Sequence, residues 1–185
     1  MTHAAAETVR IAVRPAGVGD APRLSLISNA TFLEAFAGRI DGAALLAHCE
    51  RHHAADHLAG LLERGAQAWI AELDGAPVGY ALLTAPELEA AQPGDIELKK
   101  IYLLSRFHGG GTARDLLEAA LAGAAGNRRL LLGVKADNAR AIAFYTKHRF
   151  ERIGTRRFDV GGTFYDDLVL ARDLTLHDLT PERTQ

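Results

Sequence analysis

Apolar residues recur along the chain at two spacings, and each spacing predicts a different kind of secondary structure. Alternation of apolar and polar positions, as in Val9–Arg14, is typical of a strand with one buried face. Apolar residues at intervals of three and four predict a one-faced helix. That second spacing follows the glycines near residue 110 and is kept by Ala113, Leu116, Leu117, Ala120, Leu121 and Ala124.

Extended over the whole chain, these patterns predict an α/β domain. Strands are expected at residues 9–14, 68–73, 77–84, 95–104, 130–134, 150–160 and 164–171. Helices are expected at 22–36, at 43–64 as one or two helices, from 112 onward, and at 139–148. The order β-α-α-β-β-β-α-β-α-β-β indicates one domain with a mixed sheet over residues 1–174, followed by a tail at 175–185. Gly161-Gly162 is the predicted turn of the last hairpin.

The run Gly109, Gly110 and Gly111 connects a predicted strand to a predicted helix. The first backbone N–H groups of a helix have no partner within it, and the helix dipole places partial positive charge there. Glycines let a ligand approach such a backbone closely. The arrangement therefore predicts a site for a phosphate-bearing ligand.

Other glycine-rich loops fit these residues less well. No lysine follows Gly111, as a Walker loop requires, and Asp115 stands where a dinucleotide fingerprint has its third glycine. The esterase oxyanion loop, also spelled His-Gly-Gly-Gly, needs a Gly-x-Ser-x-Gly elbow that this chain lacks. The alternative interpretation is that these glycines form a turn that binds no ligand.

Two motifs resemble the GNAT acyl-CoA N-acyltransferases, whose pyrophosphate loop reads Gln/Arg-x-x-Gly-x-Gly/Ala. Residues 108–113 read His-Gly-Gly-Gly-Thr-Ala, with His108 in place of Gln or Arg. Residues 138–145 read Asn-Ala-Arg-Ala-Ile-Ala-Phe-Tyr and are followed by Phe150, with Arg149 where the family has glycine. The resemblance covers roughly residues 9 to 174, and the segments 95–104 and 165–167 look most like the polyamine acetyltransferase branch.

The resemblance implies a fold, a co-substrate and a set of binding residues. The fold would be a mixed, mostly antiparallel central sheet flanked by helices, and the co-substrate acetyl-CoA. The pyrophosphate would lie against His108, Gly109, Gly110, Gly111, Thr112 and Ala113. The pantetheine arm would pair with the main chain of Ile101 and Leu103 and contact Asn138, which is also a predicted helix cap.

Acyl transfer to an amine also needs proton transfer. The resemblance implies that Tyr145 is the general acid that protonates the leaving thiolate. The alternative is that the Tyr145 ring only packs against its neighbours and takes no part in the reaction. Glu97, eleven residues before His108, is the candidate base, since an alkyl amine is mostly protonated at neutral pH. An ion pair of Glu97 with Lys99 or Lys100 is the alternative. Without a bulge, Glu97, Lys99, Ile101 and Leu103 would share one strand face.

The net charge and the cysteine content limit which partners and which cellular compartment the sequence predicts. The net charge is −2, which argues against nucleic acid as a partner. The single cysteine excludes an intrachain disulfide and suits a cytoplasmic protein. No apolar run is long enough for a membrane span, and the first ten residues lack a signal-peptide pattern. A homodimer stays open.

One histidine cluster raises the question of a metal. His48, His52, His53 and His57 lie on one predicted helical stretch, but its two i, i+4 pairs point about 100° apart. We therefore expect a solvated or acceptor-facing helix and no metal site. Cys49, on the same stretch, has nothing that places it beside a thioester as a nucleophile.

The expected activity is transfer of acetyl to a primary amine by direct attack in a ternary complex. The carboxylates of Glu34, Asp166 and Asp167 could attract a cationic acceptor such as a polyamine. The alternatives are a peptide or protein amine as acceptor, and a sensor that binds acyl-CoA without turnover. The presence of both Glu97 and Tyr145 favours an enzyme over the sensor.

Overall fold

The computed structural model describes residues 11–160 and 163–175. The start of the first predicted strand, the turn at Gly161-Gly162 and the tail from residue 176 lie outside the described residues. No helix within the described ranges is long and apolar enough to cross a membrane.

Seven strands form one sheet in the order β1-β2-β3-β4-β5-β7-β6. All neighbouring strands are antiparallel except β4 and β5, which are parallel. The mixed, mostly antiparallel sheet that the sequence predicts is therefore confirmed. The strands are β1 Ala12–Ala16, β2 Gln67–Leu73, β3 Ala76–Thr84, β4 Asp95–Leu103, β5 Arg129–Lys135, β6 Glu151–Val160 and β7 Thr163–Asp173.

Five α-helices flank the sheet. The segment predicted as one or two helices is two, with a break at residues 53 and 54. The helices are α1 Ala21–Phe36, α2 Gly42–His52, α3 Ala55–Glu63, α4 Thr112–Gly123 and α5 Ala139–Lys147. Short 3-10 turns occupy Val18–Asp20 and Ser105–Phe107.

Two apolar layers cover the two faces of the sheet. On one face, Leu116, Leu117 and Ala120 of α4 are completely buried against strand residues, as their spacing predicts. On the other face, Leu24 and Ile27 of α1 pack with strand residues and with α3. The helices thus cover both faces of the sheet and bury its central strands.

Strands β4 and β5 pair over only three residues. Asp95, Ile96 and Glu97 lie opposite Arg129, Leu130 and Leu131. At this end the Asp95 carboxylate accepts hydrogen bonds from Arg129 Nε at 3.0 Å and Nη2 at 2.6 Å. Beyond Glu97, the described β4 has no register partner on β5, although β4 continues to Leu103 and β5 to Lys135. The two strands therefore splay and leave a gap in the middle of the sheet.

A β-bulge in β4 changes which residues share a face. Leu82 of β3 pairs with Lys100 and Leu83 pairs with Leu98, so Lys99 is the extra residue. Leu98, Ile101 and Leu103 consequently all pack in the layer beneath α4 and α5.

The bulge overturns the expectation that Glu97, Lys99, Ile101 and Leu103 lie on one face. Ile96 and Leu98, the neighbours of Glu97, pack in the α4 layer, so Glu97 points to the opposite face. Tyr102 packs in the layer beneath α1 and α3, and Lys100 Nζ lies 3.5 Å from the main-chain oxygen of His52 on α2. One inserted residue thus moves Lys100 to the α1 side of the sheet.

Candidate active site

The gap between β4 and β5 opens into a cavity of about 410 Å³, which we call the central cavity. Its walls are β4, β5, the end of α1 and the start of α5. A second space of about 240 Å³, the side space, adjoins it beneath the glycine loop. The two spaces share the lining residues Ile101, Tyr102, Leu103, His108, Arg140, Ala141 and Tyr145. The two spaces therefore adjoin each other along the splay, and we call them together the channel.

The glycine loop closes the side space. Gly109 and Gly111 have φ angles of 86° and 92°, a conformation that residues with a side chain rarely adopt. Helix α4 begins directly afterwards at Thr112, and its first hydrogen bond back to the loop comes from Asp115 N to Gly111 O. The N–H groups before Asp115 therefore have no partner within the helix, as an anion site requires.

His108 connects this loop to the splayed strand. Its Nε2 donates a hydrogen bond to the main-chain oxygen of Leu103 at 2.9 Å, and Arg140 Nη2 lies 3.4 Å from the same nitrogen. The ring that stands in place of the family's Gln or Arg thus ties the loop to β4. Arg140 brings a guanidinium beside the loop, and the sequence reading did not single it out.

Tyr145 lies on α5, where both spaces meet. The helix begins where the sequence predicts, because Asn138 Oδ1 accepts a hydrogen bond from Ala141 N at 3.1 Å. The rings of Phe144 and Phe150 pack edge-on to Tyr145 at 5.4 and 5.5 Å. Only 8% of Tyr145 is exposed, and this burial raises the pKa of its phenol well above the ordinary value. The hydroxyl therefore stays protonated at neutral pH.

Glu97 lies beside the central cavity but does not line it. It is 1% exposed, and its Oε2 accepts a hydrogen bond from Glu87 N at 2.8 Å. Lys99 Nζ is 3.8 Å from the other oxygen and also bonds to the Glu87 carboxylate. The ion pair considered as an alternative for Glu97 is thus present, and the carboxylate is separated from Tyr145.

The three acceptor candidates fall in different places. Glu34 lines the central cavity, where Ser105 N and Oγ donate hydrogen bonds to it at 2.9 and 2.7 Å and lower its pKa. Asp167 is buried, pairs with Arg156 Nε at 3.1 Å, and has a pKa raised by its burial. Asp166 is exposed and borders a separate open space of about 840 Å³ between the last hairpin and residues 87–89. Only Glu34 therefore reaches the cavity.

Lys100 lines the central cavity, although the sequence indicates it only as a possible ion-pair partner of Glu97. None of the described carboxylates pairs with it. Burial, together with the neighbouring charge of Lys99, lowers the pKa of its amine to about 7. No signal in the sequence separates Lys100 from Lys99, because the bulge that gives the two lysines different neighbours depends on the pairing of β4 with β3.

The histidine cluster forms a packed ring assembly behind Lys100. The ring of His48 stacks on Phe32 with centroids 4.5 Å apart, and His53 meets Phe32 edge-on at 4.9 Å. His53 is 2% exposed and therefore not solvated, whereas His48, His52 and His57 are half-buried. That this stretch faces the acceptor stays a prediction. Burial lowers the pKa of His53 to about 2 and that of His48 to about 4. Among the described residues, no group of His, Cys, Asp and Glu has the arrangement of a metal site.

The comparisons with known proteins agree on one family. The sequence profile of the acetyltransferase (GNAT) family matches residues 43–150. An uncharacterized N-acetyltransferase of Mycobacterium tuberculosis (strain H37Rv) is 43% identical over 103 residues, which are 55% of this chain. The match spans 63% of that relative's length.

Solved structures match over most of the chain. The PaiA N-acetyltransferase of Thermoplasma acidophilum, solved in complex with coenzyme A, superposes with a TM-score of 0.71 at 18% identity. The match covers 89% of this chain and 99% of that one. A ribosomal-protein-alanine N-acetyltransferase of Brucella melitensis has a TM-score of 0.68 at 28% identity. The match covers 88% of this chain and 99% of that one. The fold is that of acetyltransferase structures.

The buried amine of Lys100 predicts a pH-dependent stability. The folded chain releases this proton near pH 7, whereas the unfolded chain keeps it to about pH 10. Between these values the unfolded state binds more protons, so stability rises with pH. Lys100→Met removes the cost of burying the charge. We expect the variant's gain in unfolding free energy to be about twofold larger or more at about pH 6.5 than at about pH 9.5.

Urea unfolding at the two pH values measures this difference. Lys147→Met, at an exposed position of α5, is the matched control and should change stability little at either pH. Equal gains for Lys100→Met at both pH values would show that Lys100 titrates normally.

Proposed function

The chain belongs to the acetyltransferase (GNAT) family, and we propose on this premise that it transfers acetyl from acetyl-CoA to a primary amine. The amine attacks the thioester directly in a ternary complex. The relative from Mycobacterium tuberculosis, named an N-acetyltransferase, supports the reaction type. The solved relative from Thermoplasma acidophilum, in complex with coenzyme A, supports the co-substrate.

The observation that carries this proposal is the channel along the splay, made of the two adjoining spaces. The side space lies against the glycine loop that leads into α4, the central cavity lies between β4 and β5, and Tyr145 lines both. A pyrophosphate at one end and an amine at the other would thus lie on either side of the gap between β4 and β5. A fold that bound only a phosphate would not need the second compartment.

Coenzyme A fits the side-space end of this channel. The pyrophosphate takes the unpaired N–H groups at the start of α4, with Arg140 as a nearby cation. The pantetheine arm extends along the edge of β4 at Ile101 and Leu103, which β5 leaves unpaired. Ala113, Ala141 and Phe144 give the side space an apolar lining that suits its methylene groups.

Two protons leave the acceptor nitrogen during the transfer. The first comes from the ammonium, and we propose that Glu97 accepts it through water, because its carboxylate does not line the cavity. The free amine then forms the new C–N bond, and collapse of the tetrahedral intermediate breaks the C–S bond. Tyr145 donates its proton to the departing sulfur and regains one from the nitrogen. The products are the amide, the free thiol and one released proton.

The acceptor is proposed as a small primary amine. The polyamine acceptor, which the sequence favours through Glu34, Asp166 and Asp167, stays a prediction. Of these three carboxylates Glu34 lines the central cavity. A peptide or protein amine would need an open groove, whereas the cavity of about 410 Å³ is of the size that holds small molecules.

Coenzyme binding is tested by thermal shift. We expect CoA to stabilise the protein by about 2.7 kcal/mol at a hundredfold excess over its dissociation constant. Gly110→Asp should abolish this response through repulsion of the pyrophosphate. A side chain at Gly110 meets only the main-chain oxygen of Phe107, at 3.8 Å, and its backbone is not left-handed, so the change itself should be tolerated.

Gly19→Asp is the control, since a side chain at that glycine has no atom within 4 Å. It should keep the full CoA response. An unmodified protein that does not respond to CoA would contradict the proposed activity as a whole.

Tyr145→Phe keeps the packed ring and removes only the hydroxyl. Turnover should fall by about ten- to a thousandfold, because the thiolate loses its proton donor. The CoA response in thermal shift should stay as in the unmodified protein. Thiol release under single-turnover conditions measures the step. An unchanged rate in Tyr145→Phe would mean that Tyr145 only packs and donates no proton. If the unmodified protein binds CoA but shows no turnover, the result would favour a sensor over an enzyme.

Glu97→Gln preserves size and removes the charge. The loss of rate should be largest near neutral pH, where few acceptor amines are unprotonated, and should shrink as the pH approaches the pKa of the amine. A pH profile of kcat/KM for thiol release measures this. A loss that is constant with pH would mean that Glu97 positions the cavity wall and takes no proton.

A further inference from the structure

The charges around the central cavity are mostly positive. His108 and Arg140 line both spaces and therefore lie on the coenzyme side. Four lysine and arginine residues line the central cavity alone: Arg39, Lys99, Lys100 and Lys135. Among the described residues of that lining Glu34 is the one acidic residue, and Ser105 already donates hydrogen bonds to both of its oxygens.

Two of these cations already have carboxylate partners. Lys99 pairs with Glu87 and Glu97, and Lys135 pairs with Asp137 at 3.0 Å. Within the described residues, Lys100 and Arg39 form no ion pair. The cavity therefore holds positive charge that the protein itself does not balance.

Among the described residues, no carboxylate forms an ion pair with Lys100. Its amine lies 3.5 Å from the main-chain oxygen of His52, a long contact. Around it stand the rings of His48, His52, His53 and His57 and the buried thiol of Cys49, and Lys99 adds a like charge. Lys100 is half-buried in the cavity wall, and an ammonium that is partly removed from water without a counter-ion is unfavourable. An anion entering the cavity would favour the charged form of this amine.

We propose that the acceptor is a small primary amine that also carries a carboxylate, and that Lys100 and Arg39 bind this carboxylate in the central cavity. The proposal rests on the proposed acetyl transfer and names its substrate class. The carboxylate would sit on the α1 side of β4, while the amine faces the splay and Tyr145. A guanidinium fork and an ammonium are the usual carboxylate partners in proteins.

A polyamine would meet the opposite situation. Its second ammonium would enter a space lined by Arg39, Lys99, Lys100 and Lys135, with the single carboxylate of Glu34 already hydrogen-bonded. Like charges within one cavity repel each other, so these side chains would lower the affinity for a polyamine. The charge at the far end of the acceptor is therefore the property that separates the two hypotheses.

Three matched acceptors isolate that charge: butylamine, 1,4-diaminobutane and 4-aminobutanoate. They share a four-carbon chain and differ in what stands at the end away from the reacting amine: a methyl, an ammonium or a carboxylate. Because 1,4-diaminobutane has two equivalent amines, its kcat/KM is halved before the comparison. Thiol release with acetyl-CoA gives kcat/KM for each. We expect 4-aminobutanoate to exceed butylamine by about tenfold or more, with the diamine lowest, and the preference to shrink as salt is added. A diamine that ranks first would overturn the proposal in favour of the polyamine acceptor.

Variants assign the preference to Lys100. Lys100→Met should bring 4-aminobutanoate to within about threefold of butylamine, whereas Lys100→Arg should keep part of the preference because it keeps a cation. Lys147→Met is the matched control and should leave all three values unchanged. A preference that survives Lys100→Met in full would remove Lys100 from the carboxylate site.

A binding measurement separates this proposal from the proposed activity. With CoA present, 4-aminobutanoate should raise the thermal midpoint of the unmodified protein more than butylamine does, and Lys100→Met should remove the difference. Absence of any difference in a protein that responds to CoA would overturn the carboxylate site alone. A protein that does not respond to CoA would instead contradict the proposed acetyl transfer.

Discussion

The parting of two parallel strands is the constraint on which the rest of this structure depends. Strands β4 and β5 hydrogen-bond over Asp95–Glu97 and then diverge, although both continue. Unpaired main-chain groups in the middle of a sheet are costly unless something satisfies them. At the paired end, the buried Asp95 carboxylate and Arg129 fix the two strands together. The gap therefore begins at a defined residue.

Other parts of the site are arranged around this gap. The His108 ring fixes the glycine loop to the end of β4, and the Asn138 cap starts α5 so that Tyr145 faces the space between the strands. On the β5 side, Gly133 has no side chain, and the Arg156 guanidinium lies where its Cβ would be. Arg156 extends from there to Asp167, so a charged pair closes the wall beyond β5.

The distribution of charge shows that the cavity is not optimised for stability alone. Lys100 is half-buried without a carboxylate partner among the described residues and has a lowered pKa, and His53 is buried with an Nδ1 that has no hydrogen-bond partner. Groups of this kind lower the stability of a fold and are concentrated at functional sites. The packed rings of Phe32, His48 and His53 give Lys100 a neutral background. An incoming ligand would thus face the lysine amine with little competing charge.

The sequence by itself determined the elements and the two motifs. Local spacing decides whether a segment can bury one face as a strand or a helix, and so the strands, α4 and α5 were predictable. The left-handed glycines before Thr112 and the Asn138 cap follow from local backbone chemistry. Only the tertiary structure decided which side chains reach the cavity. The single inserted residue at Lys99 moves Lys100 to the α1 face and separates Glu97 from Ile101 and Leu103. Register between strands distant in sequence sets that bulge, and the pattern within one strand carries no record of it.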